Sequence, residues 1–430
     1  MKITSSYGIE IKQMNKIFRP TIAIYNDAIS FCVDAFENEW FDIESLDAMQ
    51  RKQYAESLIH TTKNNKAKYD FDSKFYKMPS YMRRSVINSA LGYLSSYHSN
   101  LDNWQNNDCK GRKPTFQRHL NQFPTFYKDN MYLSNTNDTV QLKLFIDNDW
   151  KWVTVKLKHT DMQYIRKHLQ NTKMSVPTLE KKHHKWFLRF AFEEDIKLKD
   201  TKDTILAIDL GINTDATCSV MKSDGTILAR KFINFASDKD QITHTLNKIK
   251  GVSQKYGSHN TTKLWRVVKF KNEELARKIA KAITDYAIEQ NVDVIVFEHL
   301  DMKGKKRGSK KQKLHMWKKN SIQKYVEHKA HRKGIRVSRI CAWNTSKLAY
   351  DGSGVVVRDT DNYSLATFNN GKKYNCDLSA SYNIGARYFI RELEKSISAK
   401  KWSLIQAKVP KCVKRTQCTY NTLVKILDVA

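Results

Sequence analysis

The chain carries 75 Lys and Arg against 44 Asp and Glu over 430 residues, a formal charge of +31 that implies a polyanionic partner held through counterion release. Its length implies two or three domains, and 40% hydrophobic residues can fill their cores. Absent are a run near the roughly 20 apolar residues of a membrane span and a signal-peptide apolar region, so a cytoplasmic protein with no membrane partner is expected.

In chain order, Lys2 to Ile11 reads as a strand, followed by a helix-rich region. Ile17 to Phe36 is helical in pattern. Ser80 can cap a helix in which Val86, Ala90, Leu94, Tyr97 and Leu101 recur at helical spacing. From about Lys113 the texture changes. Val140, Leu142 and Leu144 alternate with polar residues, as do Val153, Val155 and Leu157, and then Trp186, Leu188, Phe190 and Phe192. Several half-buried strands with short links predict a small barrel or curled sheet. Near Lys202 a third texture begins. Ile205 to Ile208 is apolar on both faces, as in a central strand covered by helices. Asn272 can cap a helix bearing Leu275, Ile279, Ile283 and Tyr286, which runs into the buried strand Val292 to Phe297. A helix over about 315–332, a strand over 334–340 and a helix from Asp377 to about Leu393 follow. Strands alternating with helices indicate α/β. The tail, 396–430, is basic and weakly patterned. The cysteines number seven with no Cys-x-x-Cys pair, so neither a disulfide framework nor a Cys-rich zinc site is expected.

Three acids stand out against the basic background. Asp209 ends one central strand and is followed by Gly211 in a tight turn. Glu298 ends a second central strand, and Asp377 begins a helix. Adjacent strand ends can converge across long sequence separations. Converging carboxylates repel one another unless cations are bound. Two Mg²⁺ ions would satisfy them with oxygen ligands, activating water and stabilising the leaving 3′ oxygen of a phosphodiester. Singly, each acid is an ordinary turn, strand-end or capping residue. The ordered combination points to a nuclease.

Asp209-Leu-Gly-Ile-Asn213, Phe297-Glu298-His299-Leu300, Asn344-Thr345-Ser346 and Asp377-Leu-Ser-Ala-Ser-Tyr-Asn-Ile-Gly-Ala-Arg387 together resemble the TnpB family. These are transposon-encoded RNA-guided nucleases ancestral to the type V CRISPR effectors. The resemblance spans about 203–393 and, over the N-terminal half, is architectural only. It implies a multidomain α+β protein. A wedge-like β-barrel would comprise 1–12 and 111–200, with a helical recognition domain at 13–110. An RNase H-like RuvC domain would comprise 201–395, and a basic tail 396–430. It also implies an Mg-dependent endonuclease whose metal ligands and catalytic residues are Asp209, Glu298 and Asp377. The implied partners are a guide RNA, the double-stranded DNA target and its displaced strand, with a short target-adjacent motif read by the N-terminal domains. The family's two Cys-x-x-Cys pairs are missing from 341–376, which leaves a degenerate zinc-finger-like hairpin and no expected zinc.

Basic tracts supply candidate nucleic-acid contacts. Lys303, Lys305, Lys306, Arg307, Lys310, Lys311 and Lys313 follow Glu298 and can track a phosphate backbone, or form a solvated loop. Lys110, Arg112, Lys113 and Arg118 interleave with aromatics, of which Phe126 and Tyr127 can stack bases or fill a core. Competing readings are a compact type V CRISPR effector, an RNA-guided DNA-binding repressor, and an actin-like ATPase suggested by Asp-Leu-Gly-Ile-Asn. The retained acids weigh against the repressor, and the charge against the ATPase.

Overall fold

A computed structural model describes residues 1–12, 16–134, 138–169, 172–182, 184–299 and 311–429, without the side chains of His259, Lys311 and Lys313. The protein divides into two compact units, residues 2–194 and residues 195–430 with Met1.

The first unit opens with β1 (Lys2–Ile11). Its helices are α1 (Arg19–Asn38), α2 (Trp40–Glu44), α3 (Ala48–Ile59), α4 (Phe71–Lys74) and α5 (Ser80–Asn106). Tyr25 on α1 is buried against α5, its hydroxyl 2.9 Å from Ser85 Oγ and 3.1 Å from Ser89 Oγ. Ser80 does not cap α5. It is the first helical residue, because the extended Pro79 before it already sets the chain direction, and no side chain caps that end. The strands that follow are β2 (Tyr132–Ser134), β3 (Thr139–Ile146) and β4 (Asp149–Lys156). After α6 (His159–His168) come β5 (Lys173–Met174), β6 (Thr178–Lys182) and β7 (Lys185–Asp195). They do not close a barrel. Among the described residues, β2-β3-β4 form one sheet, and β7 pairs with β1, β5 and β6 in another. Among the described residues these ladders meet at the single bridge Ile11 to Leu157, flanked by backbone hydrogen bonds from Lys12 to Lys156 and from Lys158 to Glu10. Bridges of one residue pair cannot carry the continuous stagger that a closed barrel needs.

The second unit is built on a mixed sheet of β8 (Thr204–Asp209), β9 (Ala216–Lys222), β10 (Ile227–Ile233), β11 (Val294–His299) and β12 (Arg336–Cys341). Its order is β10-β9-β8-β11-β12. β8, β11 and β12 run parallel, and β9 is antiparallel to both neighbours. The two-residue period of a strand sorts side chains to two cores. Leu206, Ile208, Ile295 and Phe297 face α7 (Ala236–Tyr256), α8 (Thr262–Glu289) and, beyond the short α9 (Lys311–Met316), α10 (Lys319–His331). Ile205, Ala207, Val294 and Val296 face α11 (Cys376–Ser396), α12 (Ala399–Lys408) and α13 (Tyr420–Val429). Burial on both faces is what the unbroken apolar runs of β8 and β11 predict.

Two expectations change here. Asn272 is no cap. It is buried in mid-α8, and its amide donates to the Met316 carbonyl at 2.7 Å. The weakly patterned tail is structured: Trp402, Ile405, Cys412, Cys418, Leu423 and Ile426 complete the core beneath α11. Between β12 and α11, β13 (Val357–Arg358), β14 (Leu365–Thr367) and β15 (Lys373–Asn375) form a small sheet. Ala349, Ala366, Phe368 and Cys376 make its core, flanked by the rings of Tyr350 and Tyr374 5.1 Å apart. All seven cysteines are free thiols.

Candidate active site

Asp209 is the last residue of β8, and Glu298 is the penultimate residue of β11. These strands are parallel, with Ile208 beside Phe297, so the two acids leave the same edge of the sheet from neighbouring strands about 4.8 Å apart. Gly211 makes the exit from β8 possible. A Cβ there would lie 2.5 Å from the Thr214 carbonyl oxygen. Asp377 is the second residue of α11, whose first turn is capped by Asn375, its Oδ1 accepting from Leu378 N at 2.9 Å.

The structure thus brings together all three acids singled out in the sequence. Burial raises the Asp209 carboxyl well above the usual carboxylate range, and the negative charges of Glu298 and Asp377 push it further. Burial likewise raises Glu298 and Asp377. Arg358 on β13 opposes the shifts of Asp209 and Asp377. Arg387 and the Thr345 hydroxyl oppose that of Glu298. Charged together, the acids are therefore under-compensated by the protein itself.

Thr345 and its supports were not marked as site residues by the sequence. Thr345 Oγ1 lies within hydrogen-bond reach of Glu298 Oε1 and, at 2.9 Å, of the Ala342 carbonyl. Its one proton serves a single acceptor at a time. The Glu298 carbonyl accepts from Gln323 Nε2 at 3.0 Å. Asn344 precedes Thr345 in the left-handed region, φ +63°, which Asn tolerates better than most residues. The helix that starts at Asp377 then fastens this loop. Asn383 Nδ2 donates to the Thr345 and Leu348 carbonyls at 2.9 Å each. One turn on, Arg387 donates to the Cys341 and Trp343 carbonyls at 2.8 and 2.7 Å. Gly385 lets α11 approach the sheet: a Cβ there would meet Met221 Cε at 2.9 Å and Ala207 Cβ at 3.3 Å. The run from Asp377 to Arg387 is thus one device that places an acid and locks the loop behind another. Its Asn-Thr-Ser neighbour was visible as a motif, but Arg358 carries no local signal.

All donors at the acid cluster are carboxylate oxygens, which suits a hard divalent cation. Among the described residues no three His, Cys, Asp or Glu side chains already stand close enough to grip one ion. The acids therefore form an electrostatic cluster, not a finished chelate.

The basic candidates divide. Lys303, Lys305, Lys306, Arg307 and Lys310 lie outside the described residues, and Lys311 and Lys313 begin α9. Lys110, Arg112, Lys113 and Arg118 are exposed, Lys110 paired with Asp108 at 2.9 Å and Arg118 with Asp34 at 3.4 Å. Phe126 cannot stack a base: it is fully buried in the first unit's core. Tyr127 is half-buried against the ring of Tyr81, 5.3 Å away.

Comparison with known proteins matches residues 5–146 to the Aq_aa04 family. A TnpB-like protein of Aquifex aeolicus is 25% identical over 234 residues, 48% of this chain and 74% of that protein. The chain is similar in sequence to a TnpB-like protein. Two solved structures share its fold. One is a Cas12f1–sgRNA–target DNA complex, with TM-score 0.51, 15% identity and coverage of 96% of this chain and 81% of that one. The other is a mini-RNA-guided endonuclease, CRISPR-Cas phi3, with TM-score 0.53, 10% identity and coverage of 89% and 92%. The chain is thus a mixed α/β multidomain protein with the fold of those two structures. Among the described residues no helix is long and apolar enough to cross a membrane.

Proposed function

We propose that the protein is an RNA-guided, Mg²⁺-dependent DNA endonuclease of the TnpB type, cutting beside a short adjacent motif at one site formed by Asp209, Glu298 and Asp377. One observation carries the reading. Three acids from separate elements meet at one end of the sheet, Glu298 buried and Asp209 and Asp377 half-buried, all short of counter-charge in a chain of net charge +31. Uncompensated buried charge is costly, and a bound cation is the compensation that also does chemistry. Magnesium, when bound, supplies the clamp on the attacking and leaving oxygens of the phosphodiester.

The chain's own groups do the positioning. Strand pairing fixes the backbone of Asp209 and Glu298. Thr345 orients the Glu298 carboxylate, and the α11 N-terminus favours charge on Asp377. The surplus cations suit phosphate contacts that carry no sequence information. Base pairing to a guide RNA is then the source of specificity, and the structures of this fold include an sgRNA–target DNA complex and an RNA-guided endonuclease. The sheet order β10-β9-β8-β11-β12 supports an RNase H-like nuclease unit. A compact type V CRISPR effector would share this chemistry, and neighbouring genes separate the two.

The test is cleavage of a guide-matched DNA by the RNA-loaded protein and by Asp209→Ala, Glu298→Ala and Asp377→Ala. Each substitution is expected to abolish cutting while guide and target binding persist. Normal cutting by Asp209→Ala would overturn the assignment.

A further inference from the structure

Between Gln241 and Asn272 the chain has seven Lys and Arg and no Asp or Glu, where its average density of acids, 44 in 430, would place about three. This stretch is the outer part of the α7–α8 hairpin, turned by Gly257 and the 3-10 segment Ser258–Thr261. The ion pairs of these helices lie at the hairpin's base. Lys278 meets Asp238 at 2.7 Å, and Lys318 meets Glu273 at 3.0 Å. Towards the tip, Lys255, Lys263, Arg266 and Lys269 are exposed. Large rings stand among them in the open: Tyr256 is 66% exposed, Trp265 43% and Phe270 70%. Among the described residues between positions 247 and 271, just Ile249, Thr261 and Val268 are buried. So the rings are not needed to hold the hairpin together.

Exposed rings interleaved with exposed cations are the groups that stack bases and hold phosphates. A second copy of the chain is a poor occupant, since it would set like charges against like. A permanent partner also suits the rings better than a transient one, because apolar surface left open promotes aggregation. We propose that the tip of the α7–α8 hairpin docks a single-stranded segment of the guide RNA, with bases stacked on Tyr256, Trp265 and Phe270. This rests on the reading of the chain as RNA-guided.

Full-length protein tests it with two probes, a single-stranded oligouridylate and the RNA that co-purifies with the wild type. One variant combines Tyr256→Ala, Trp265→Ala and Phe270→Ala. A second combines Lys255→Gln, Lys263→Gln, Arg266→Gln and Lys269→Gln. The ring variant is expected to bind both probes at least about tenfold more weakly with an unchanged salt slope. The charge variant is expected to flatten that slope. Unaltered thermal unfolding would show that both variants fold. In the wild type, RNA should quench Trp265 fluorescence. Unchanged RNA affinity of the folded ring variant would overturn the proposal. So would weakened DNA target capture, or a changed oligomeric state, with RNA affinity intact. Wild-type protein that binds no RNA would instead remove the functional reading itself.

Discussion

Thr345 is where a single hydroxyl decides how a buried carboxylate points. Its Oγ1 sits on Glu298 Oε1 in a loop pinned by Asn383 and Arg387. Thr345→Val keeps the shape and removes the hydrogen bond. It should lower cleavage by about 10- to 100-fold, the usual cost of losing a partner of a metal-binding group. Thr345→Ser should recover most of the rate in single-turnover cleavage at saturating Mg²⁺, and equal rates for Val and Thr would remove this role. The acids also set a pH dependence. Burial and mutual repulsion raise Asp209, Glu298 and Asp377, so the folded metal-free protein holds protons that the unfolded chain has released. Stability of that form must then fall as pH rises from the ordinary carboxylate range through the raised values. Asp209→Asn removes one of the mutually repelling charges. Near neutrality it should raise metal-free stability by about 1–3 kcal/mol, while abolishing the stabilisation that Mg²⁺ gives the wild type. Thermal unfolding with and without Mg²⁺ measures both effects, and a lowered melting temperature for metal-free Asp209→Asn would contradict the repulsion.

At the scale of elements, the C-terminal segment is part of the sheet's foundation. Leu423 and Ile426 of α13 are fully buried beneath α11. Leu423→Ala or Ile426→Ala should each cost about 2–5 kcal/mol in denaturant unfolding, as cavities in a close-packed core do. A cost near zero would mean that the tail is loosely held. The sequence hid this because α12 and α13 are ten residues each and joined by short turns, too brief for a period to emerge. What was legible has a common physical cause. β8 and β11 are central strands, and burial on both faces writes unbroken apolar runs. β9 was missed because Thr217 and Ser219 are buried within it and break its apolar signature. Asn272 looked like a cap because local chemistry favours Asn there, and a tertiary hydrogen bond to Met316 outweighed it. Alternation in β3, β4 and β7 gave the strands but not their closure, which depends on pairing between distant segments. At the acid cluster, strand ends marked Asp209 and Glu298, and a helix start marked Asp377. Arg358 and the Thr345 contact are products of tertiary folding and leave no periodic trace.

For the whole molecule the governing quantity is the charge of +31. Lysine contacts to phosphate position a nucleic acid without reading it, so the RNA-free protein should bind DNA with little sequence preference and with steep salt dependence. Bound RNA would neutralise much of that charge, and RNA-free protein should precipitate more readily at low salt. Solubility compared across salt concentrations, before and after RNA removal, checks this. The central claim is that a paired guide directs a metal-dependent nuclease. Its most direct test is cleavage of one DNA target, with Mg²⁺ present, by RNA-free protein and by protein loaded with a matched guide. Cutting only by the guided protein is expected, lost when Mg²⁺ is removed or when guide and target are mismatched beside the adjacent motif. Equal site-specific cutting by both preparations would contradict it.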